Sequence, residues 1–318
     1  MRNSPELTVI GPITVPFREF AVVEVAFERM HELSVCCIFK DEAPYLEEWL
    51  RFYSLIGVEH FYLYDNDSTD AFKAVLAPWV AAGKVTLHQI SVPAPQRPAY
   101  GHCLNNYGSG SRWMAFVDVD EFLFSPVQND LRQFLKEFED SPAVVANWVM
   151  FGASGHQQKP AGLVTLNYSM HCEEKLCTFE RALLKQPDLD PTRAENYHPV
   201  CGHIKSIVNP REVIAVCTPH HFLYRDKRPA ISAAGAPVSG PFCDEVKIDR
   251  LRVNHYFSKS MQEFHHKLSR GRADTGGKYD PAQMMERNKL FDQISDTTIF
   301  PLGRSVQAAM NNRDASRR

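Results

Sequence analysis

Two acidic residues one position apart follow directly on a strand-like apolar run, and they are the first candidates for chemistry. The run Trp113–Val117 precedes Asp118-Val119-Asp120-Glu121. A buried strand with this ending places carboxylates at the carboxyl edge of a sheet, where open α/β sheets bind ligands. Side chains two apart on an extended backbone point to the same side. Asp118 and Asp120 can therefore hold one Mg²⁺ or Mn²⁺ against phosphate oxygens, unless they only cap a solvent-facing turn.

A second acidic loop follows an earlier apolar run. His60–Tyr64 leads into a stretch that begins with Asp65 and Asn66 and ends with Asp70. If both runs are parallel strands of one sheet, both loops face one crevice, and Asp65 with its neighbours suits ribose hydroxyls or a uracil edge. The alternative is a turn with nothing bound, because Asn, Asp and Ser are turn-forming residues.

Strands and helices alternate along the first part of the chain. Residues 33–39 form a continuous apolar run typical of a strand buried on both faces. A helix follows, with Asp41 as a plausible cap and Pro44 in its first turn. Its apolar residues recur with a 3.6-residue period, and Gly57 ends it. Strand, helix and strand in succession indicate a right-handed parallel crossover.

The alternation continues and predicts an α/β fold, a mostly parallel twisted sheet flanked by helices. We expect an arm or edge strand at 1–30, one domain at 31–300 with halves 31–125 and 126–300, and a tail at 301–318 that is frayed from Asn311. Further helices are predicted near 71–82, 100–109, 131–138 and 260–270. Further strands are predicted near 85–90, 143–150, 204–208, 212–217 and 251–256, with irregular chain at 151–199 and a loop at 228–243.

Composition excludes some classes of protein. The 318 residues include 35 basic and 38 acidic side chains, a formal net charge of −3, so a nucleic-acid partner is not expected. No apolar run approaches the ~18–20 residues of a transmembrane helix, and the first 16 residues lack the apolar core of a signal peptide. We therefore expect a cytoplasmic protein with at most peripheral membrane association, and reduced cysteines. Soft zinc ligands do occur at His171, Cys172, Cys177, Cys201, His203 and Cys217, although their spacings do not match a zinc knuckle, finger or ribbon.

Three ordered segments resemble the family 92 glycosyltransferases and their bacterial family-2-like relatives. They are Cys37–Trp49, Gly57–Asp70 and Phe116–Leu123, and a later piece around Asn254-His255-Tyr256 resembles the bacterial members. The resemblance implies a GT-A fold and a Mn²⁺- or Mg²⁺-dependent, inverting hexosyltransferase. Its donor would be a nucleoside-diphosphate sugar, with a UDP-sugar favoured, and its acceptor a glycan or lipid-linked glycan. Asp41 departs from the family, which usually has Asn there.

The resemblance also implies roles for single residues. Asp118 and Asp120 become metal ligands, with His255 as a third ligand and His220 and His221 as its competitors. His156 and Lys259 are candidates for contact with the acceptor or the sugar. The catalytic base is not singled out, and the sequence leaves Glu121, Glu173, Glu174, Asp244 and Glu245 as candidates. The candidates for contact with the donor nucleotide are Lys40, Asp41, Glu42, Asp65, Asn66, Asp67, Asp70 and Asp118.

Two other classes remain open from the residues alone. A nucleotidyltransferase or a two-metal phosphohydrolase is also built on clustered carboxylates. A nucleotidyltransferase, however, usually has a glycine-rich phosphate loop near its N-terminus, and this sequence has none there. A non-catalytic carbohydrate-binding protein with the same fold is the second alternative.

Overall fold

The computed structural model describes residues 18–19, 31–173, 177–179, 197–243, 245–271 and 277–315. The strands are β1 (Arg18–Glu19), β2 (His31–Phe39), β3 (His60–Asp65), β4 (Val85–Gln89), β5 (Ser111–Phe116), β6 (Glu121–Phe124), β7 (Ala143–Met150), β8 (Met170–His171), β9 (Cys177–Phe179), β10 (Tyr197–Pro199), β11 (Ile204–Val208), β12 (Val213–Val216), β13 (Phe222–Tyr224), β14 (Ala230–Ser232), β15 (Pro237–Val238), β16 (Arg252–His255) and β17 (Ile294–Ser295). The α-helices are α1 (Ala43–Leu55), α2 (Phe72–Ala81), α3 (Gln96–Tyr107), α4 (Leu131–Leu135), α5 (Val164–Asn167), α6 (Met261–Arg270), α7 (Pro281–Asn288) and α8 (Phe300–Ala315). Short 3₁₀ turns cover Gly108–Gly110, Lys136–Phe138, Val200–Gly202, Pro210–Glu212 and Arg225–Lys227.

A central sheet organises the described chain, with the order β1-β4-β3-β2-β5-β11-β7-β14-β15. The strands β4, β3, β2 and β5 run parallel to one another. Next to them β11 runs antiparallel between β5 and β7, and β7 pairs in parallel with β16. The strand β6 pairs with β16 from the other side. This confirms the predicted α/β fold and agrees with the GT-A-like arrangement that the resemblance implies.

Both faces of the sheet are buried because its central strands are largely apolar. In β2, Val35 and Cys37 pack into the hydrophobic core on one face, together with Trp49 of α1. The alternate residues Cys36 and Ile38 pack into a second core on the other face. A strand that buries both faces reads as a continuous apolar run, which is why the sequence predicts β2 correctly.

The loop ends of β2 and β3 are joined by hydrogen bonds from acidic side chains to backbone N–H groups. The Asp41 carboxylate accepts from the Thr69 N–H at 2.7 Å, and Asp70 accepts from the Ala43 N–H at 2.7 Å. The first turn of α1 is thus capped by Asp70 from the neighbouring loop. The sequence predicts Asp41 as the cap, and the structure corrects this, because no side chain of the α1 N-terminal residues caps the helix.

Several elements differ from the sequence predictions. The helix α3 begins at Gln96, ahead of the predicted start near residue 100, and short strands β14 and β15 interrupt the predicted loop at 228–243. The predicted frayed tail is the helix α8, which continues to Ala315. It packs on α1 and buries Leu302 and Val306 in the core. Among the described residues, no helix is both long and apolar enough to cross a membrane.

A buried carboxylate anchors α1 to the segment that carries α5. Glu48 is 5% exposed and accepts hydrogen bonds from the Val164 N–H, the Thr165 N–H and the Thr165 hydroxyl at 2.7–2.9 Å. Burial raises the pKa of Glu48, although these hydrogen bonds oppose the rise. All three partners are donors, so both terminal side-chain atoms at position 48 must be acceptors.

We predict that Glu48→Gln lowers the free energy of unfolding by about 1–3 kcal/mol, because the new amide group faces a donor and leaves it unpaired. Urea unfolding followed by circular dichroism measures the change. Glu139→Gln serves as the control, since Glu139 is exposed and a surface substitution is expected to change stability by less than about 0.5 kcal/mol. Equal unfolding midpoints for the two variants would contradict this role of Glu48.

Candidate active site

A cavity of about 440 Å³ lies at the carboxyl ends of β2, β5, β7 and β16. Parallel strands of an open sheet bind ligands at this edge. One side of the cavity is formed by the loops after β2 and β3 and by the start of α3, and the other side by β7, β16 and the segments around α6 and α7. The residues on which the site depends are Lys40, Glu42, Asn66, Gln96, Asp118, Asp120, Trp148, His203, His220, His255, Phe257 and Lys267.

The acidic cluster after β5 is a tight turn. The Glu121 N–H donates to the Asp118 carbonyl at 3.1 Å, and the Glu121 carboxylate accepts from the Asp118 N–H at 2.9 Å. Asp118 and Asp120 both line the cavity, whereas Glu121 is fully buried beneath it. The two aspartates therefore share a cavity because the chain turns there, and not through the extended backbone that the sequence predicts.

Asp118 is bound by two protein donors. Its Oδ1 accepts from Gln96 Nε2 at 2.8 Å and its Oδ2 from Lys205 Nζ at 2.9 Å. Lys205 is fully buried in β11 and also lies 3.1 Å from Glu121 Oε2. Both Asp118 oxygens thus accept from protein donors, Gln96 and Lys205, and a metal ion shared by Asp118 and Asp120 stays a prediction.

Sequence reasoning did not find Lys205, although a signal for it exists. The residue interrupts the apolar strand Ile204–Val208, and an unpaired buried ammonium group is too costly to be retained. Burial lowers the pKa of Lys205, but Asp118 and Glu121 more than offset this, so its pKa lies above the ordinary value. Lys205 is therefore charged throughout the neutral range.

Asp120 faces a cation and a histidine. Lys267 Nζ donates to Asp120 Oδ2 and also lies 3.8 Å from the centre of the Phe257 ring. His255 Nε2 lies 3.5 Å from the same Asp120 oxygen. Burial raises the pKa of Asp120, yet Lys267 and His255 outweigh it, so the pKa lies well below its usual range. Asp120 is a fixed negative charge that attracts cations to the cavity.

His255 lies between Asp120 and Glu121. It is 5% exposed, and its Nδ1 faces Glu121 Oε1 at 3.9 Å. Burial lowers the pKa of His255, so the ring is neutral. Burial also raises the pKa of Glu121, assisted by the charges of Asp118 and Asp120, while Lys205 opposes the rise and favours the ionised carboxylate.

The pair of Asp120 and His255 fits a hard divalent cation. Across the described residues, no group of three or more His, Cys, Asp or Glu side chains is placed to hold a metal ion. Mg²⁺, however, is usually bound through one or two carboxylates, with substrate phosphates and water completing its shell. The distance of 3.5 Å between His255 Nε2 and Asp120 Oδ2 suits two ligands of one ion. The ion pair between Lys267 and Asp120 shows that Asp120 already stabilises a positive charge.

Aromatic rings form the wall of the cavity next to His255. Trp148 stacks on His203 with ring centres 4.7 Å apart and contacts His255 at 4.4 Å and His220 at 5.0 Å. The Nδ1 of His220 lies 2.9 Å from the Ile204 carbonyl, so this competitor of His255 is held by the backbone. His221, the other competitor, is not among the residues that line the cavity.

The predicted nucleotide contacts divide into two groups. Lys40, Glu42 and Asn66 line the cavity together with Asp118. The others stabilise the loops beside it. The Asp65 carboxylate accepts from the Ser68 N–H at 2.8 Å, and Asp67 from Gln89 Nε2 at 2.9 Å and from the Ser91 hydroxyl. Asp41 and Asp70 make the hydrogen bonds between loops described above. For Asp65 and Asp67 these bonds agree with the alternative of a turn-forming loop, and nucleotide contact by any of the four acids stays a prediction.

The remaining predicted residues lie elsewhere or outside the described chain. His156 contacts the Asn167 carbonyl at 3.2 Å, and Lys259 Nζ lies 4.1 Å from the centre of the Tyr45 ring; neither residue lines the cavity. Glu245 is exposed and pairs with Lys247, which argues against it as the base. Glu173 is also exposed, whereas Glu174 and Asp244 lie outside the described residues. Of the candidate zinc ligands, Cys172 and Cys201 lie together, with their sulfur atoms 3.4 Å apart.

Comparison with known proteins gives a consistent family. The model of glycosyltransferase family 92 matches residues 31–288. A family 92 protein of Ricinus communis is 29% identical over 176 residues, which cover 54% of this chain and 32% of that protein. A galactan β-1,4-galactosyltransferase of Arabidopsis thaliana, GALS2, is 30% identical over 106 residues, covering 30% of this chain and 20% of that protein. The match thus spans a third or less of these curated relatives.

Two similar solved structures are glycosyltransferases that align with less than half of the chain. Staphylococcus aureus TarS, residues 1–349, aligns over 43% of both chains with 17% identity and a TM-score of 0.32. The mannosyltransferase PcManGT from Pyrobaculum calidifontis, in complex with GDP-Man and Mn²⁺, aligns over 38% of this chain and 36% of that chain, with 20% identity and a TM-score of 0.29. Likenesses of this size support no statement about the ligands or activity of this chain.

We predict that Lys205→Met destabilises the protein by about 3–5 kcal/mol, because it leaves the Asp118 and Glu121 carboxylates together without their buried cation. Urea unfolding measures the loss. The matched control is Lys136→Met, at an exposed position where a change below about 0.5 kcal/mol is expected. If Lys205→Met unfolds at the same urea concentration as the control, Lys205 does not balance the two acids.

Proposed function

Because the chain belongs to glycosyltransferase family 92, we propose that it transfers a hexose from a nucleoside-diphosphate sugar, with UDP favoured, to a glycan or lipid-linked glycan acceptor. We propose inversion at the anomeric carbon. The observation that carries the proposal is the cavity at the sheet's carboxyl edge, where Asp120, His255 and Lys267 converge. This group of charges suits a diphosphate, and other residues of the cavity lining suit the rest of the donor.

Two groups of cavity-lining residues suit the two ends of the donor. On one side lie Lys40, Glu42 and Asn66, at the loops where doubly wound sheets hold nucleotides. On the other side lie Trp148 and His203, whose stacked rings give an apolar surface with polar edges. A hexose has an apolar face and polar hydroxyls, so it matches this second side. The diphosphate would then lie between them, beside Asp120 and Lys267.

Asp120 and His255 would hold Mn²⁺ or Mg²⁺ in this arrangement. When bound, the ion supplies positive charge that stabilises the leaving diphosphate without proton transfer. Lys267 assists from the protein itself, because its ammonium group already lies at Asp120 and its side chain borders the cavity. A fixed charge of this kind is effective where negative charge develops during the reaction.

The base that deprotonates the acceptor is not Glu121 in this proposal. Glu121 is fully buried below the cavity, and Lys205 and the Asp118 N–H occupy its Oε2, so no acceptor hydroxyl can reach it. Asp244 stays a prediction, since it lies outside the described residues. A general base must lie within hydrogen-bond reach of the hydroxyl whose proton it takes.

We predict that Asp120→Asn lowers turnover at least about 10²-fold, because it removes the charge that holds the cation at the diphosphate. Chelation by EDTA should abolish turnover and added Mn²⁺ should restore it. The measurement is release of UDP from UDP-hexoses with glycan acceptors. Asp140→Asn, at an exposed position, is the control and should retain full activity.

The products separate this function from its alternatives. Release of UMP or pyrophosphate would indicate a phosphohydrolase or a nucleotidyltransferase instead. Binding of sugar nucleotides without any turnover would indicate a carbohydrate-binding protein. Full activity of Asp120→Asn, or full activity in EDTA, would contradict the metal-assisted transfer.

We also predict that Lys267→Met weakens UDP binding about 10- to 100-fold, because a hydrogen bond to a charged group contributes about 1.5–3 kcal/mol. Isothermal titration calorimetry with UDP and Mg²⁺ measures the affinity. Lys289→Met is the matched control, since Lys289 is an exposed lysine paired with an exposed Glu286. An unchanged UDP affinity in Lys267→Met would show that Lys267 does not contact the diphosphate.

A further inference from the structure

Two buried polar atoms beside Asp120 face each other without hydrogen-bond partners. They are Glu121 Oε1 and His255 Nδ1, which lie 3.9 Å apart. Glu121 is fully buried and His255 is 5% exposed. Buried polar atoms almost always have a hydrogen-bond partner, so two adjacent buried atoms without one call for an explanation.

The backbone and the other carboxylate oxygen fix this arrangement. His255 and Glu121 are directly opposite each other in the antiparallel pairing of β16 and β6. The Tyr53 hydroxyl donates to the Glu121 carbonyl at 3.0 Å. Glu121 Oε2 is held by the Asp118 N–H and by Lys205 Nζ. Only Oε1 is left to interact with His255, and it needs a donor.

A neutral imidazole carries one N–H donor and one acceptor nitrogen. If Nε2 carries the proton, it points at Asp120 and cannot bind a cation. If Nδ1 carries the proton, it points at Glu121 Oε1, and the Nε2 lone pair lies 3.5 Å from Asp120 Oδ2. Histidines that bind metals usually donate their other N–H to a carboxylate in this way, which fixes the tautomer and the ring orientation.

We propose that Glu121 is a positioning residue that accepts the His255 Nδ1–H, so that His255 Nε2 and Asp120 bind one divalent cation together. The inference rests on the proposed function, in which this cation assists departure of the diphosphate. Glu121 does not touch the substrate. Its contribution is to select one of two tautomers of a neighbouring ring.

The isosteric variant Glu121→Gln reverses this selection. Its amide oxygen must take the place of Oε2, because the Asp118 N–H and Lys205 are both donors there. The amide NH₂ then takes the place of Oε1 and donates to His255 Nδ1, which forces the proton onto Nε2. We expect the Mn²⁺ affinity in the presence of UDP to fall about 10- to 100-fold, measured by electron paramagnetic resonance of free Mn²⁺. UDP binding without metal should be unchanged.

Glu48→Gln is the matched control for loss of a buried carboxylate. Glu48 is similarly buried, but its hydrogen-bond partners are the Val164 N–H and the Thr165 N–H and hydroxyl of α5, and not His255. This variant should be less stable than the wild type and bind Mn²⁺ with UDP at unchanged affinity. An equal loss of Mn²⁺ affinity in both variants would show that Glu121 acts only through general stability, and would overturn the proposal.

A second measurement needs no variant at all. In wild-type protein loaded with Mg²⁺ and UDP, ¹⁵N shifts of the His255 ring should report a protonated Nδ1 and an unprotonated Nε2. A protonated Nε2 in that complex would overturn the proposal, and so would a folded Glu121→Gln protein with wild-type Mn²⁺ affinity. In either case the proposed function stands if the wild type still binds the cation. If the wild type binds no divalent cation with UDP, both the positioning role and the metal-assisted function fail.

Discussion

The buried ammonium group of Lys205 is the interaction on which the rest of the site depends. The turn after β5 places Asp118 and Glu121 side by side, and like charges at this distance in a dry environment repel strongly. Lys205 lies 2.9 Å from Asp118 Oδ2 and 3.1 Å from Glu121 Oε2, and it enters from β11, which pairs with both β5 and β7. The antiparallel strand β11 thus supplies the positive charge of Lys205, which stabilises the turn after β5.

Because Lys205 fixes Asp118 and Glu121, Asp120 is the acid of this segment that we propose for the cation. The turn directs it into the cavity, where Lys267 and His255 meet it. The three acids of one short segment therefore have three different environments. Asp118 accepts from Gln96 and Lys205. Glu121 is buried and contacts Lys205 and His255, and Asp120 presents its charge to the cavity. Environment separates the roles of adjacent carboxylates in the same way that it separates acids and bases in other active sites.

Much of the fold could be predicted from the sequence, because the patterns that identify its strands and helices lie within short segments. Buried parallel strands such as β2 and β3 are continuous apolar runs, and α1 shows its period in Trp49 and Tyr53, so pattern alone identifies them. The cavity-lining pair of Asp120 and His255 could be predicted because each residue follows or ends a strand. The pairing of Lys205 and Gln96 with Asp118 could not be predicted, since the paired residues are 87 and 22 positions apart in the chain. Nucleotide contact by Asp65 stays a prediction, because turn formation and ligand binding favour the same residue types and the sequence does not separate them.

The acids that do not reach the cavity still explain how it keeps its shape. Asp41 and Asp70 join the loops after β2 and β3 by accepting backbone N–H groups across the gap between them. Asp41 has a positive φ of 53°, and its departure from the usual Asn of the family keeps an acceptor oxygen in that place. Lys40, Glu42 and Asn66 are therefore presented from a pair of loops that are fixed to each other. A nucleotide that binds beside them meets side chains already in place, and less conformational entropy is lost on binding than if the loops had to order around it.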